Sequence, residues 1–220
     1  MGNIKVILFD IDNTLIFGER AEKFYREYSR VLEQALAKEL GISFEEGKII
    51  ADDHRKRFNG QGEKSFETMK IGIEKWYDAI LSLNPQDYLD VMPQINEILR
   101  TLRSRGIIVG AITDGPTLQA KRILSVTQIE EDLFDIFIGW ERGERMPKGG
   151  SVQIFESLIS QLGFAANQMV MVGDSLGADI LPAIEVGLNA IHINPSAQSI
   201  KNEKWETIES INSLLKIITV

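Results

Sequence analysis

The chain has 220 residues and no cysteine, which excludes disulfides, thiolate catalysis and zinc–thiolate sites. Its 24 lysines and arginines against 32 aspartates and glutamates give a net charge of −8, and no basic run is strong enough to track a phosphate backbone, so nucleic acid is not an expected partner. The length suits one domain or a core with one insertion, and without a basic-flanked leader or long apolar stretch the expected setting is cytoplasmic, with no membrane.

The apolar run Ile4-Lys5-Val6-Ile7-Leu8-Phe9 predicts a buried strand that ends in Asp10-Ile11-Asp12-Asn13-Thr14. In extended backbone the two-residue spacing places Asp10 and Asp12 on one face. Two like charges at the mouth of a buried strand are costly, and the usual remedies are a bound cation or a raised pKa.

A region with helical periodicity follows, spanning residues 17–90. Phe24, Tyr28, Val31, Leu32, Ala35, Leu36 and Leu40 recur every three or four residues, and Gly41 stops them, which predicts a helix over 20–40. Ser43 and Glu46 form a capping-box pair that opens a second helix running to Phe58, before the Gly60-Gln61-Gly62 break. A third is expected over 65–83, closed by Asn84-Pro85. Pro93 suits the first turn of a further helix that carries Ile95, Ile98, Leu99 and Leu102 to Arg105-Gly106.

From there strands and helices alternate. Strands are predicted over 107–112, 136–138, 169–172 and 189–193, with helices over 117–125, 151–162, 179–186 and, last, 208–218. Such alternation predicts a parallel sheet with crossover helices, to which the first strand belongs, so the helical region is an insertion.

Open parallel sheets bind ligands outside the carboxyl ends of their strands. The residues there form one polar set: Asp10 and Asp12, then Thr113-Asp114-Gly115, Lys148, Gly173-Asp174-Ser175 and Asp179. An EF-hand loop is excluded, since Leu15 stands where its glycine must be and Ala21 where its bidentate Glu belongs. Asp179 reads either as a helix N-cap before Pro182 or as a support for the site. The run Asp52-Asp53-His54-Arg55-Lys56-Arg57 reads as the wet face of a helix, and His54 and His192 lack a metal-ligand pattern. Phe17, Phe24, Tyr28, Trp76 and Tyr77 are expected as packing within the insertion, or as pocket lining.

Taken together, Asp10-x-Asp12-x-Thr14, Thr113-Asp114, Lys148 and Gly173-Asp174 with Asp179 resemble the four motifs, in order, of the haloacid dehalogenase superfamily. The helical insertion after the first motif resembles that superfamily's C1 type of cap. A lesser likeness, in Ile112-Thr113-Asp114-Gly115, Gly173-Asp174-Ser175 and the tail through Trp205, is to its 5′-nucleotidase and N-acylneuraminate-9-phosphatase branch. The fold implied is α/β, a Rossmann-like parallel sheet core over residues 1–16 and 91–220 with an inserted α-helical cap over 17–90.

The resemblance implies a Mg²⁺-dependent phosphatase that works through an aspartyl-phosphate. Asp10 would be the nucleophile and Asp12 the acid and base; Asp10, the backbone carbonyl of Asp12, and Asp174 would hold Mg²⁺, with Asp179 behind them. Thr113, Asp114 and Lys148 would contact the phosphoryl group. Two positions depart from the family pattern. Asp114 replaces the common Asn, so its backbone N–H is expected to matter more than its carboxylate, and Lys148 lies one residue further from Ile154-Phe155 than the common spacing. The expected partner is a small phosphorylated metabolite, a nucleoside monophosphate or sugar phosphate, and the chain would be a monomer or homodimer. Alternatives of the same superfamily are a dehalogenase, against which Asp12 argues because halide needs no proton donor, and a phosphonatase using a cap lysine such as Lys23, Lys38 or Lys56. A non-catalytic phosphoryl-binding protein is the alternative from another class; a two-component receiver fits less well, having no helical insertion.

Overall fold

The computed structural model describes residues 3–58, 64–144, 146–196 and 205–218. Its first strand, β1 (Val6–Phe9), is buried at every position, as a central parallel strand covered on both faces must be. The other strands are β2 (Ile108–Pro116), β3 (Ile136–Trp140), β4 (Met169–Gly173), β5 (Asn189–Ile193) and β6 (Glu206–Ile208). They pair in parallel in the order β3-β2-β1-β4-β5-β6, the doubly wound order. The direction of winding reverses between β1 and β4, which opens a crevice at their carboxyl ends. Phe9 pairs with Ala111 on one side and Val172 on the other, so the residues after these strands emerge at one level.

Alternation divides the core between the two faces. Ile7 and Phe9 belong to the cluster that includes Val109, Ala111, Val170, Val172 and Ile191, whereas Val6 and Leu8 pack with Ile112, Phe155, Leu158, Met169 and Met171. The first face is covered by α5 (Pro93–Ser104) and α6 (Thr117–Thr127), the second by α7 (Gln153–Leu162) and α8 (Leu181–Glu185).

Between β1 and β2 lie α1 (Glu19–Leu40), α2 (Phe44–Arg57), α3 (Lys64–Thr68) and α4 (Ile73–Leu81). Gly41 ends α1 in the left-handed conformation, φ 68°, and the Ser43–Glu46 capping box opens α2 with both reciprocal bonds formed. At Gly47 a Cβ would meet that of Ala37 at 2.7 Å, so glycine permits the close approach of α1 and α2. Leu32, Leu36, Ala51, Phe66, Trp76, Tyr77 and Ile80 form a cluster of these helices, into which Trp140 inserts from the end of β3. No helix among the described residues is long and apolar enough to cross a membrane.

Several predicted elements are corrected. The helix expected over 65–83 is two, α3 and α4, because Lys70 (φ 56°) and Gly72 (φ 92°) turn the chain between them. The Gly60-Gln61-Gly62 break lies outside the described residues. The helix expected over 208–218 is instead β6, a 3₁₀ turn at Ile211–Ser213 and the single-turn α9 (Leu214–Ile217). Ile208, Ile211, Leu214 and Ile218 are all buried, so the helix-like spacing was real burial on a different backbone. The helix expected over 179–186 begins earlier, as a π-helical turn at Leu176–Ile180 that leads into α8.

Candidate active site

Asp10 leaves β1 with its N–H donating to Val172 O at 2.9 Å, and is 5% exposed. Asn13 then takes a left-handed φ of 57°, while the N–H groups of Leu15 and Ile16 return to Ile11 O at 3.0 and 3.1 Å. This tight turn buries Thr14 and leaves Asp12 beside Asp10 at the crevice. Thr113, at the end of β2, donates its hydroxyl to Asp12 Oδ2 at 3.2 Å and accepts Gly115 N–H at 2.9 Å. Asp12 Oδ1 is buried with no hydrogen-bond partner among the described residues.

Lys148 is 3% exposed, and its Nζ donates to Asp10 Oδ1 at 2.5 Å and to Asp179 Oδ1 at 2.6 Å. The lysine of the unusual spacing therefore reaches the set. Asp179 is completely buried. Its Oδ2 accepts the N–H of Ser175 at 3.0 Å, while the Ser175 hydroxyl caps the π-helical turn by accepting Ala178 N–H at 3.1 Å. Of the two readings of Asp179, the N-cap one fails, because Ser175 does the capping. An added Cβ on Gly173 would lie 2.3 to 2.6 Å from the Asp179 side-chain atoms, so the close approach of that carboxylate requires glycine.

Asp114 corrects an expectation. Its carboxylate accepts the N–H of Lys148 at 2.7 Å and of Gly149 at 3.0 Å, so the side chain fastens the lysine loop to the end of β2. His192, to which the sequence assigned no role, has Nε2 3.0 Å from the backbone oxygen of Asp174.

Among the described residues, the carboxylates of Asp10, Asp12, Asp114, Asp174 and Asp179 line one cavity with the single ammonium of Lys148 among them. Burial, followed by repulsion from Asp179, Asp174 and Asp12, holds the Asp10 carboxyl well above its usual range despite Lys148. Burial also raises Asp12, with the nearby Tyr25 phenol, Lys148 and Thr113 pulling the other way. Asp174 is pushed up to about 7 by burial and by Asp179. Burial works against the charge on Lys148, yet the carboxylates of Asp10, Asp179 and Asp114 hold its pKa well above the usual lysine value.

Such an excess of buried negative charge fits a hard cation. Asp10, Asp174 and Asp179 each offer a carboxylate oxygen within 4.8 Å of the others, and the donors are all oxygen. The third carboxylate of this group is Asp179; the sequence pointed to Asp12 only through its backbone carbonyl, alongside the carboxylates of Asp10 and Asp174. Both Asp179 oxygens are already engaged, by Lys148 and by Ser175 N–H, which suits a supporting place better than direct ligation.

The cavity holds about 430 Å³. Its other wall comes from the helical insertion: Tyr25, Tyr28, Ser29, Leu32, Arg55 and Trp76. Tyr28 and Trp76 were among the expected pocket candidates; Phe24 and Tyr77 instead pack in apolar clusters. Tyr25, Ser29 and Arg55 were missed. The run 52–57 is not uniformly wet, for Arg55 turns inward to the buried Glu33 at 2.5 Å and His54 is buried. A glutamate at a buried helical position was the available signal that a cation must face it. Arg20 and Lys23 serve the surface, pairing with Asp90 and Glu19.

The model of the family described as "Hydrolase: haloacid dehalogenase-like hydrolase" matches residues 4–187. The chain is similar to a glyceraldehyde 3-phosphate phosphatase of Methanocaldococcus jannaschii, 26% identical over 229 aligned positions that cover 99% of this chain and 96% of the relative. It is 24% identical to a phosphoglycolate phosphatase of Rhodospirillum rubrum, over 85% of this chain and 78% of that one. Among solved structures, a HAD phosphatase from Thermococcus onnurineus superposes with a TM-score of 0.66 at 26% identity, covering 97% of each chain.

Proposed function

Because the chain belongs to the haloacid dehalogenase-like hydrolase family, we propose that it is a Mg²⁺-dependent phosphomonoester hydrolase acting on a small phosphorylated metabolite through an aspartyl-phosphate. The observation that carries this reading is Asp12. It is a second buried acid beside Asp10, oriented by Thr113, with one oxygen free of hydrogen bonds and a raised pKa. An ester needs that proton donor for its departing alcohol, whereas a halide does not. Relatives named as glyceraldehyde 3-phosphate and phosphoglycolate phosphatases support the same class.

In this mechanism an Asp10 carboxylate oxygen attacks phosphorus and the ester P–O bond breaks, while Asp12 gives its proton to the leaving oxygen. Asp12, now a carboxylate, takes a proton from water as that water attacks the phosphorus of the acyl phosphate. Inorganic phosphate leaves and Asp10 is regenerated. Lys148 stays charged throughout and neutralises Asp10 and the phosphoryl oxygens near it. Asp10, Asp174 and the backbone carbonyl of Asp12 would hold Mg²⁺, which when bound offsets negative charge on the transferring group.

We read residues 17–90 as a cap over a core of 1–16 and 91–220, which closes the cavity against water and contacts the leaving group through Tyr28, Ser29, Arg55 and Trp76. Among the described residues the insertion contributes no lysine to the cavity lining, which disfavours the phosphonatase alternative. The test is phosphate release from nucleoside monophosphates, sugar phosphates and phosphoglycolate, with Mg²⁺ and with chelator. Turnover that needs the metal and vanishes in Asp10→Asn supports the proposal; metal-independent turnover, or activity kept by Asp10→Asn, opposes it.

A further inference from the structure

The wall of the cavity supplied by the helical insertion carries two observations that bear on what leaves. Trp76 is 6% exposed, and its indole N–H has no hydrogen-bond partner among the described residues. A buried donor without an acceptor is costly unless a ligand or water supplies one. The ring is fixed by Tyr28, edge-on with centroids 6.3 Å apart, and by Trp140 at 5.4 Å, so the donor is set before anything binds.

Arg55 is the cation that this wall brings to the cavity among the described residues, and its charge is committed. Its guanidinium bonds Glu33 at 2.5 Å and Asp52 at 2.7 Å, and the Glu33 side chain is 6% exposed. Drawing Arg55 away would strand a buried carboxylate. Asp52 also accepts Lys48 at 2.8 Å, so two positive charges are balanced by two negative ones and leave no net attraction for a second anionic group. The aspartates across the cavity would repel such a group.

We propose that this wall selects a small, uncharged, oxygen-bearing leaving group: a polyol or hydroxyaldehyde whose hydroxyl or carbonyl oxygen accepts the Trp76 indole N–H. In the same way the Arg55–Glu33 pair disfavours a leaving group that carries a carboxylate or a second phosphate. Trp76 is then a specificity-determining residue and Glu33 a positioning residue that acts through Arg55. This inference rests on the phosphatase reading.

The experiment compares kcat/KM, with Mg²⁺, for glyceraldehyde 3-phosphate and glycerol 3-phosphate against 2-phosphoglycolate and 3-phosphoglycerate, with p-nitrophenyl phosphate as the generic phosphatase substrate. The neutral pair is expected to exceed the carboxylates by roughly tenfold or more. Trp76→Phe, which keeps a ring and loses the donor, raises KM for the neutral pair by roughly tenfold with a smaller change in kcat. Glu33→Gln, which releases Arg55 from a buried carboxylate, shifts the ratio toward the carboxylates by roughly fivefold or more. That ratio is measured within one protein and so does not depend on how much of a variant folds. Carboxylate substrates preferred by the wild type, or a ratio unmoved in Glu33→Gln, overturn the proposal while the phosphatase reading stands. Absence of p-nitrophenyl phosphate turnover overturns the phosphatase reading, and the proposal falls with it.

Discussion

Asp114 holds Lys148 by its backbone, accepting that N–H at 2.7 Å, while the Lys148 ammonium reaches Asp10 at 2.5 Å. The end of β2 thus sets where the charge of a distant loop stands relative to the proposed nucleophile. Asp114→Ala removes both loop bonds and is expected to lower kcat/KM by about 10- to 100-fold through misplacement of Lys148. Asp114→Asn keeps an acceptor oxygen and should stay within about fivefold of wild type. Steady-state kinetics of the two variants check this order, and equal losses would count against it.

In the proposed Mg²⁺ site, the acid–base state of Asp174 is expected to make metal binding pH-dependent. Its folded pKa, about 7, lies above the ordinary value of 3.8, so the metal-free folded protein holds a proton there that the unfolded chain releases. Folded-state proton binding exceeds unfolded between those values, so this group's contribution to stability is present at low pH and is lost as pH rises through about 7. Mg²⁺ must displace that proton. Its apparent affinity should therefore fall about tenfold per pH unit below the pKa and level off above it. Calorimetric Mg²⁺ titrations across this range test the slope, and thermal melts with and without Mg²⁺ should diverge as pH rises.

Gly173→Ala places a methyl group 2.3 to 2.6 Å from the Asp179 side chain. Backbone on one side and the buried Lys148 pair on the other leave it no room, so Asp179 must move and Lys148 with it. The expected cost is about 1–3 kcal/mol of stability and about a hundredfold or greater loss of kcat from the displaced site. Denaturant melts and kinetics on the same preparation measure both.

Trp140 is fully buried and joins β3 to the helices of the insertion, with its ring 5.4 Å from that of Trp76 and 4.8 Å from that of Tyr77. Arg142 extends the joint by pairing with Glu74 at 3.0 Å and lying over Tyr77. Trp140→Ala is expected to destabilise by about 3–5 kcal/mol. Because it also frees Trp76, KM should rise more than kcat falls in protein kept folded at low temperature. A variant stable to within 1 kcal/mol, on the order of measurement error, would show that the joint is not formed.

What was readable from the sequence depended on whether the backbone or tertiary packing placed a residue. Asp10, Asp12 and Asp174 follow a strand and Thr113 lies in the last part of β2, and the parallel sheet brings strand ends together whatever surrounds them. Lys148 was readable as the lysine of the set, although its loop is shaped by Asp114, whose carboxylate role has no local signature. Arg55 and Tyr25 were hidden because a helix periodicity does not say what lies opposite: one sat in a charged run, the other beside Phe24. β6 was hidden because Ile208, Ile211 and Leu214 keep helical spacing while only three residues, Glu206–Ile208, pair with β5. The break of the third helix was signalled by Gly72 and outweighed by the apolar residues on either side of it.

Asp10 is the residue proposed to carry the phosphoryl group. The most direct measurement is acid quench of the enzyme during turnover of a ³²P-labelled substrate with Mg²⁺, followed by peptide mapping. Label is expected on the peptide that contains Asp10, released by hydroxylamine as an acyl phosphate is, with neither label nor turnover in Asp10→Asn. Turnover undiminished in Asp10→Asn, or label on a different residue, would contradict it.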